Sequence, residues 1–153
     1  GYALGNKEIL KQMIKIHQYA IMCAPTVSQY AAIEAMYNGD QDVIYMRESY
    51  NQRRRFLYHE LQRLGLPCFL PEGAFYMFPD IREFGMTSED FALDLLKEEK
   101  VAVVPGSAFG DCGEGFIRIS YAYSIEELKE ALLRIERYLN RKRSQKTESP
   151  KQV

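Results

Sequence analysis

The segment Gly115–Ala122 constrains the fold most, because it is a short apolar run with an arginine at its centre. Its alternation predicts a strand with one face made of Ile117, Ile119 and Tyr121 and an opposite face made of Phe116, Arg118 and Ser120. A guanidinium fixed in an apolar strand needs an anionic partner, because desolvating an unpaired charge is costly. Its planar fork suits a carboxylate that accepts two parallel hydrogen bonds. This strand alone leaves a buried structural ion pair and a bound carboxylate ligand both open.

Residues 1–39 are predicted to form a strand, a helix, a loop and a second helix. Asn6 can cap the first helix, and Thr26 with Gln29 three residues later matches a capping box for the second. Asn38-Gly39 is predicted to end that helix, since glycine enters a left-handed cap without steric cost. These few elements cannot close a core by themselves.

Residues 40–140 interleave helices and strands without a strict strand–helix–strand rhythm, which predicts an α+β layer domain. Capping and periodicity predict its helices: a long one from about Val43 to Gly65, one capped by Thr87 or Ser88, and a last one whose capping box is Ser124 with Glu127. The predicted strands are Cys68–Leu70, Ala74–Phe78, Val101–Val104 and the Arg118 segment. Residues 141–153 carry five Lys/Arg and are predicted to be a disordered tail.

Three segments, in this order and at this spacing, resemble the C-terminal part of the fold type I (class I/II) pyridoxal phosphate-dependent aminotransferases: Pro71–Pro79, Val101–Gly110 and the Arg118 strand. Gly1–Gly5 is similar to the strand that follows the cofactor lysine in that family, and Pro25–Ala32 is similar to its next loop and helix. The resemblance implies that residues 40–140 are the α+β small C-terminal domain of that fold. Residues 1–39 would then be a remnant of the large domain that binds pyridoxal phosphate.

The resemblance also implies roles for particular side chains. Arg118 would bind the α-carboxylate of an amino-acid substrate, and Phe109 would add apolar surface on the loop that covers the substrate. Phe75 and Tyr76 would wall the same site, although for one of these two aromatics an ordinary core position is favoured over a site role. The segment from Thr26 to Gln29 would lie near the dimer interface of a homodimer.

No catalytic residue is expected within this chain. In the family, the cofactor lysine, the aspartate that pairs with the pyridine nitrogen and the main phosphate-binding groups lie upstream of the position of Gly1. Polar helical or turn positions hold Lys7, Lys11, Lys15, Lys97, Lys100 and Lys129. The chain alone is therefore expected to be inactive and to bind pyridoxal 5′-phosphate without specificity, whereas the full-length enzyme would use it to exchange amino groups between amino acids and 2-oxo acids.

The remaining motifs do not indicate another kind of catalytic or binding site. His17 and His59 fall within helical patterns and have no Ser or Cys nucleophile beside them. The segment Gly106–Gly110 could cradle a phosphate, but it lacks the Lys-Ser/Thr ending of a P-loop. The charge run Arg53–Arg55 points in three directions on a helix, which favours solvated charges over a binding patch.

Composition excludes several classes of protein. With 20 basic and 21 acidic residues the net charge is −1, so the chain has no overall positive charge that would attract nucleic acid. Three cysteines without metal-ligand spacing indicate reduced thiols and a cytoplasmic protein, and no membrane-length apolar run is present. The chain opens without Met, which suggests a longer protein. A carbon–sulfur lyase of the same fold and a non-catalytic ligand-binding or dimerisation module stay open, as does the amino-acid specificity.

Overall fold

Five α-helices and a three-stranded antiparallel sheet make up residues 1–148, the part of the chain that this computed structural model describes. The helices are α1 (Lys7–Ala20), α2 (Thr26–Asn38), α3 (Asp40–Arg63), α4 (Ser88–Glu99) and α5 (Ile125–Glu148). The strands are β1 (Tyr76–Met77), β2 (Val104–Pro105) and β3 (Ile117–Ser120). Three 3-10 turns lie at Arg82–Phe84, Gly106–Phe109 and Asp111–Gly113. The chain divides into two units, residues 1–45 and the part that begins at Met46.

The first unit contains α1, α2 and the start of α3, and neither α1 nor α2 has a buried residue. Asn6 caps α1 as predicted, because its side-chain oxygen accepts a hydrogen bond from the Glu8 backbone N–H at 2.8 Å. The predicted strand at Gly1–Gly5 is absent from the structure. A strand needs a neighbour for its backbone groups, and no described segment pairs with these five residues.

The ends of α2 differ from the sequence prediction in two ways. Pro25 occupies the N-cap position, and it has no N–H that a capping-box glutamine could bind. Gln29 instead donates its side-chain amide to the Ala24 carbonyl at 2.8 Å, so the predicted capping box is wrong. Gly39 ends α2 with a right-handed φ of −88°, not a left-handed one. Its lack of a side chain matters for another reason, since a Cβ there would lie 2.5 Å from the Ala35 carbonyl oxygen.

The second unit is organised around β3, which lies between β1 and β2 in the sheet. Tyr76 pairs with Ser120 across one side of β3, and Val104 pairs with Arg118 across the other. The predicted alternation is confirmed, because Ile117, Ile119 and Tyr121 are buried while Arg118 and Ser120 are only half-buried. The helices and this small sheet form the α+β architecture that the sequence predicts.

The predicted strand Cys68–Leu70 is wrong. The segment lies between Pro67 and Pro71, and its backbone bonds are irregular. Gln62 donates its side-chain amide to the Cys68 carbonyl at 3.2 Å, and the Asp80 N–H donates to the Pro67 carbonyl at 2.8 Å. Prolines at both ends remove ladder donors, so this stretch stays an irregular connection.

Helices α3, α4 and α5 cover the buried face of the sheet with regularly spaced apolar residues. Thr87 caps α4 by accepting from the Asp90 N–H at 3.1 Å. Ser124 and Glu127 form the predicted capping box at the start of α5. The buried helical residues include Leu57 and Leu61 of α3, Phe91 and Leu95 of α4, and Leu128, Leu132, Ile135 and Leu139 of α5. Leu96 of α4, next to the buried Leu95, is exposed.

The predicted disordered tail is wrong for residues 141–148, because α5 continues to Glu148. Its last turns are fixed to α4 by ion pairs. Arg137 and Arg141 both bind the buried carboxylate of Glu99, at 2.8 and 2.7 Å, and these contacts hold the pKa of Glu99 below its usual range. These partners are far apart in sequence, so local composition cannot reveal them. Residues 149–153 lie outside the described part of the chain.

Asp94 of α4 joins the same helix pair through two polar contacts. It binds the Lys142 ammonium at 2.6 Å and accepts a hydrogen bond from the Tyr138 hydroxyl at 2.8 Å. The lysine contact, followed by the tyrosine hydrogen bond, lowers the pKa of Asp94. The pKa of the Tyr138 hydroxyl is raised, because burial and the neighbouring carboxylate both disfavour its ionised form.

The loop between β2 and β3 is closed by contact between two glycines. A Cβ on Gly106 would lie 2.1 Å from the Gly113 carbonyl oxygen, and a Cβ on Gly113 would lie 2.1 Å from that of Gly106. The Gly106 N–H also donates to the Phe116 carbonyl at 2.8 Å. The two ends of the loop therefore touch through their backbones, and the turn that carries Phe109 is held between them.

Asp94→Asn should flatten the acid dependence of stability. Because the folded pKa of Asp94 lies below the unfolded value, its contribution is fully present above the unfolded pKa and is lost as the pH falls through the folded pKa. Chemical denaturation between about pH 5 and pH 2 should show a shallower loss of unfolding free energy for D94N than for the wild type. Asp111→Asn, at an exposed aspartate, is the control. Equal slopes for D94N and the wild type would contradict the assignment.

Gly106→Ala should destabilise the second unit, since its methyl group would meet two backbone oxygens, those of Gly113 and Phe116. Overpacking of this kind costs about 1–3 kcal/mol. Gly73→Ala is the matched control, because no atom lies within 4 Å of its added Cβ. Thermal and urea unfolding would measure both changes. A G106A variant as stable as G73A would show that the glycine contact is not required.

Candidate functional site

Arg118 lies at the centre of β3 and contacts two aromatic rings. Its guanidinium carbon is 4.3 Å from the centroid of the Tyr76 ring and 4.9 Å from that of Phe109. Tyr76 belongs to β1 and Phe109 to the turn that follows β2, so the rings come from the elements on either side of β3. The sheet therefore brings together three of the residues that the sequence identifies as candidates.

The guanidinium of Arg118 has no hydrogen bond or ion pair with any group of residues 1–148. Arg118 lines a cavity of about 720 Å³ between the Val101–Val104 segment and the start of α5. Two carboxylates of this cavity already have partners. Glu127 accepts hydrogen bonds from Ser124, which lower its pKa, and Glu130 binds Arg134 at 2.7 Å. A structural ion pair, one alternative left open by the sequence, is therefore not found within the described residues.

Phe75, the fourth candidate, lies in a different environment. Its ring stacks on Tyr50 at 5.9 Å and lines a separate cavity of about 680 Å³ together with Arg47 and Arg54. The ring of Phe75 also contacts the ring of Tyr76, with 4.6 Å between their centroids, and Tyr76 in turn contacts Arg118. Phe75 therefore lines a cavity that Arg118 does not line, whereas the Tyr76 ring contacts the Arg118 guanidinium.

Two further aromatics support the cluster, and neither was predicted from the sequence to be a site residue. Phe78 contacts the ring of Phe109 edge-on at 6.0 Å and stacks on Phe116 at 5.5 Å. The two-residue period of a strand could have identified both rings, because Phe78 lies two residues from Tyr76 and Phe116 lies two residues from Arg118. Side chains two residues apart on a strand share a face, so all four belong beside one another.

The glycine N–H groups of the loop between β2 and β3 are not free to bind a phosphate. The Gly106 N–H donates to Phe116, the Gly110 N–H to Ser107 and the Gly113 N–H to Gly110. These backbone donors are used within the loop and by β3. An anion cradle needs free N–H groups that converge on one point.

The basic and imidazole groups elsewhere do not converge on a site. Arg54 donates to the Pro71 carbonyl at 2.7 Å and to Asn51, while Arg53 lies over the Tyr50 ring at 5.3 Å. His59 packs edge-on against Tyr58, and His17 is exposed in the last turn of α1. Arg53 and Arg54 accordingly make separate contacts and Arg55 is exposed, so the three charges do not form a common binding patch.

None of the lysines within residues 1–148 is buried. Lys100 donates to the Lys97 carbonyl and Lys142 binds Asp94. The three cysteines are free thiols, and partial burial raises the pKa of Cys68. In this part of the chain, no group of three or more His, Cys, Asp or Glu residues could hold a metal ion. No described helix has both the length and the apolar character that crossing a membrane requires.

Comparisons of this chain with known proteins point to one family. The model of the family described as "Aminotransferase class I and II" matches residues 1–135. The protein YugH of Bacillus subtilis (strain 168) is 53% identical over 141 residues, which are 92% of this chain and 36% of that protein. The aspartate aminotransferase of Pyrococcus abyssi (strain GE5 / Orsay) is 43% identical over 145 residues, or 94% of this chain and 37% of that enzyme.

The solved structures agree with the sequence relatives. The crystal structure of the aromatic aminotransferase from Pyrococcus horikoshii OT3 superposes with a TM-score of 0.83 at 46% identity, covering 88% of this chain and 36% of that one. The chain thus spans a little over a third of the length of the relatives it matches. Because the family model covers most of its residues, the chain belongs to the class I and II aminotransferases.

Proposed function

We propose that this chain supplies the part of an aminotransferase that binds the substrate carboxylate. The observation that carries the proposal is Arg118 itself, which is fixed on the central strand, lines a cavity and has a guanidinium with no polar partner in the described residues. Relatives named aspartate and aromatic-amino-acid aminotransferases act on amino acids by their names, and every amino acid carries an α-carboxylate. The substrates would be an amino acid and a 2-oxo acid.

The proposed chemistry of Arg118 is recognition and orientation. Its planar fork would donate two parallel hydrogen bonds to the α-carboxylate, which fixes both the position and the rotation of the substrate. Lysine would supply a charge without this fork. Holding a substrate in a defined orientation contributes to rate by lowering the entropy that the reaction step must lose.

The cofactor of the proposed enzyme is pyridoxal 5′-phosphate, which supplies the carbonyl group that receives the amino group. The described residues do not fit a site for it. Their lysines are not buried, and the backbone N–H groups of Gly106, Gly110 and Gly113 are already bonded within the protein. We therefore assign no step through the cofactor to this chain, and we propose that residues preceding Gly1 in the full-length enzyme bind it.

Assembly and location belong to the same proposal. α1 and α2 expose many large apolar side chains, among them Ile9, Met13, Ile14 and Ile33. Apolar surface of this extent is typical of an interface. We infer that residues 1–39 belong to the large domain of the full-length enzyme, which would cover this surface, and that Thr26–Gln29 lies near the interface of a homodimer. Free thiols at all three cysteines suit a cytoplasmic enzyme.

Activity of the full-length enzyme would test the reaction class. The chain would be expressed with the sequence that precedes it in its gene and supplied with pyridoxal phosphate, a panel of amino acids and 2-oxoglutarate. Formation of a 2-oxo acid together with glutamate supports amino-group transfer. Release of ammonia and a thiol from cystathionine, without glutamate, would instead identify a carbon–sulfur lyase.

Arg118→Ala in the full-length enzyme should lower kcat/KM for amino acids by at least about tenfold, because hydrogen bonds to a charged group typically contribute about 1.5–3 kcal/mol. Arg118→Lys should be almost as damaging, since an ammonium cannot reproduce the fork. Steady-state kinetics would measure both variants. Arg55→Ala, at an exposed arginine of α3, is the control and should behave like the wild type. A folded R118A enzyme with unchanged efficiency would exclude the assignment.

The 153-residue chain alone should show no transamination and no selective linkage to pyridoxal phosphate, because its described lysine amines are not buried. The measurement is titration with the cofactor, reduction with borohydride and mapping of the labelled peptides. Weak labelling spread over several lysines is expected. Stoichiometric labelling of one lysine, together with turnover of an amino acid and a 2-oxo acid, would show that the chain contains a complete site.

A further inference from the structure

The guanidinium of Arg118 must be held in place before a ligand arrives, and the two rings beside it are the groups that contact it. An arginine side chain loses about 2 kcal/mol of rotamer freedom when it is fixed. Within residues 1–148 no hydrogen bond or ion pair fixes Arg118, and its guanidinium contacts are with the rings of Tyr76 and Phe109.

Both rings are themselves held by their surroundings. Tyr76 pairs with Ser120 through the β1–β3 ladder, and its ring packs 4.6 Å from that of Phe75. Phe109 contacts the edge of Phe78 at 6.0 Å and lies on the turn that begins at Gly106. The hydroxyl of Tyr76 has no hydrogen bond in the described structure, so only the ring of Tyr76 contributes to this contact.

We propose that Tyr76 and Phe109 are positioning residues, which hold the guanidinium of Arg118 through cation–π contacts and leave its N–H donors available to a carboxylate. This inference rests on the proposed role of Arg118. A ring attracts the cation through its π face and accepts none of the five N–H donors as a carboxylate would. An acidic side chain could fix the same fork, but the substrate would have to displace it.

An Arg118 side chain that the two rings hold in place would bind a carboxylate more tightly than a mobile one, because it is preorganised. A side chain that is ordered before binding loses less freedom when the ligand arrives, so more of the interaction appears as affinity. The inference assigns Tyr76 and Phe109 a role that acts through Arg118, which differs from a role as apolar walls for the substrate side chain. The two roles make different predictions for substrates that lack a carboxylate.

The positioning itself can be measured on the 153-residue chain by NMR of the arginine Nε–Hε groups. In the wild type, ring currents should shift the Arg118 Hε signal upfield, and its Nε order parameter should be high. Phe109→Leu and Tyr76→Leu should each reduce the ring-current shift and lower the order parameter, whereas Tyr76→Phe should retain both. Phe109 is 49% exposed, so F109L is not expected to disturb folding. An Arg118 side chain as ordered in F109L and Y76L as in the wild type would overturn the proposal.

A matched control is available on the same domain. Phe84 lies under the guanidinium of Arg143, with 5.4 Å between the ring centroid and the guanidinium carbon. Phe84→Leu makes the same chemical change at another arginine–phenylalanine contact. Phe84→Leu should leave the Arg118 Hε shift and Nε order parameter unchanged. A change as large as that in F109L would contradict the proposal, because it would show that the two quantities respond to a general loss of order in the domain.

The functional test is a double-mutant cycle in the full-length enzyme. F109L should lower kcat/KM for an amino acid about fivefold, the size expected of one cation–π contact, and should have less than a twofold effect in the R118A background. With phenethylamine, which lacks the carboxylate of phenylalanine, F109L should change the half-reaction less than twofold.

The possible outcomes separate the two proposals. Equal losses with phenylalanine and phenethylamine, or a full F109L effect in the R118A background, would overturn the positioning role and identify Phe109 as an apolar wall. Wild-type efficiency of R118A would overturn the proposed carboxylate anchor itself. Rescue by Tyr76→Phe, alongside a loss in Y76L, would support the ring contact, and failure of that rescue would contradict it.

Discussion

The pairing of β3 with a neighbour on each side is the interaction on which the rest of the second unit depends. Because the strand alternates, a single register sends Ile117 and Ile119 into the core and turns Arg118 toward the opposite face. A shift by one residue would bury the guanidinium and expose the isoleucines. The hydrophobic core therefore fixes the register, and the register in turn fixes the position of the candidate site.

Local signals predicted the helices well, whereas elements that depend on distant partners were predicted less well. Asn6, Thr87 and Ser124 cap helices as expected, since a cap involves residues within one turn. The end of α5 depends instead on contacts such as Arg141 with Glu99, whose partners are on different helices. Three of the predicted strands overlap observed strands but were predicted too long, and those predicted at Gly1–Gly5 and Cys68–Leu70 are absent, because a strand depends on which neighbours pair with it.

The candidate site was predicted in part. The face of Arg118 followed from strand period, and Tyr76 and Phe109 followed from the family resemblance. The separation of Phe75 from the contact between Tyr76 and Arg118 needed the structure, although two adjacent strand residues point to opposite faces. Whether an arginine has an internal partner cannot be read from sequence, because that partner can come from any element folded beside it.

The contact between Gly106 and Gly113 has a consequence for how this loop can vary in length. Loops usually tolerate insertions and deletions, since their ends are held by other elements and the intervening chain can bulge outward. Here the two ends touch through backbone atoms, so an added or deleted residue between them would change how the ring of Phe109 meets the arginine. A loop library that varies side chains at fixed length should therefore give more folded members than one that varies length.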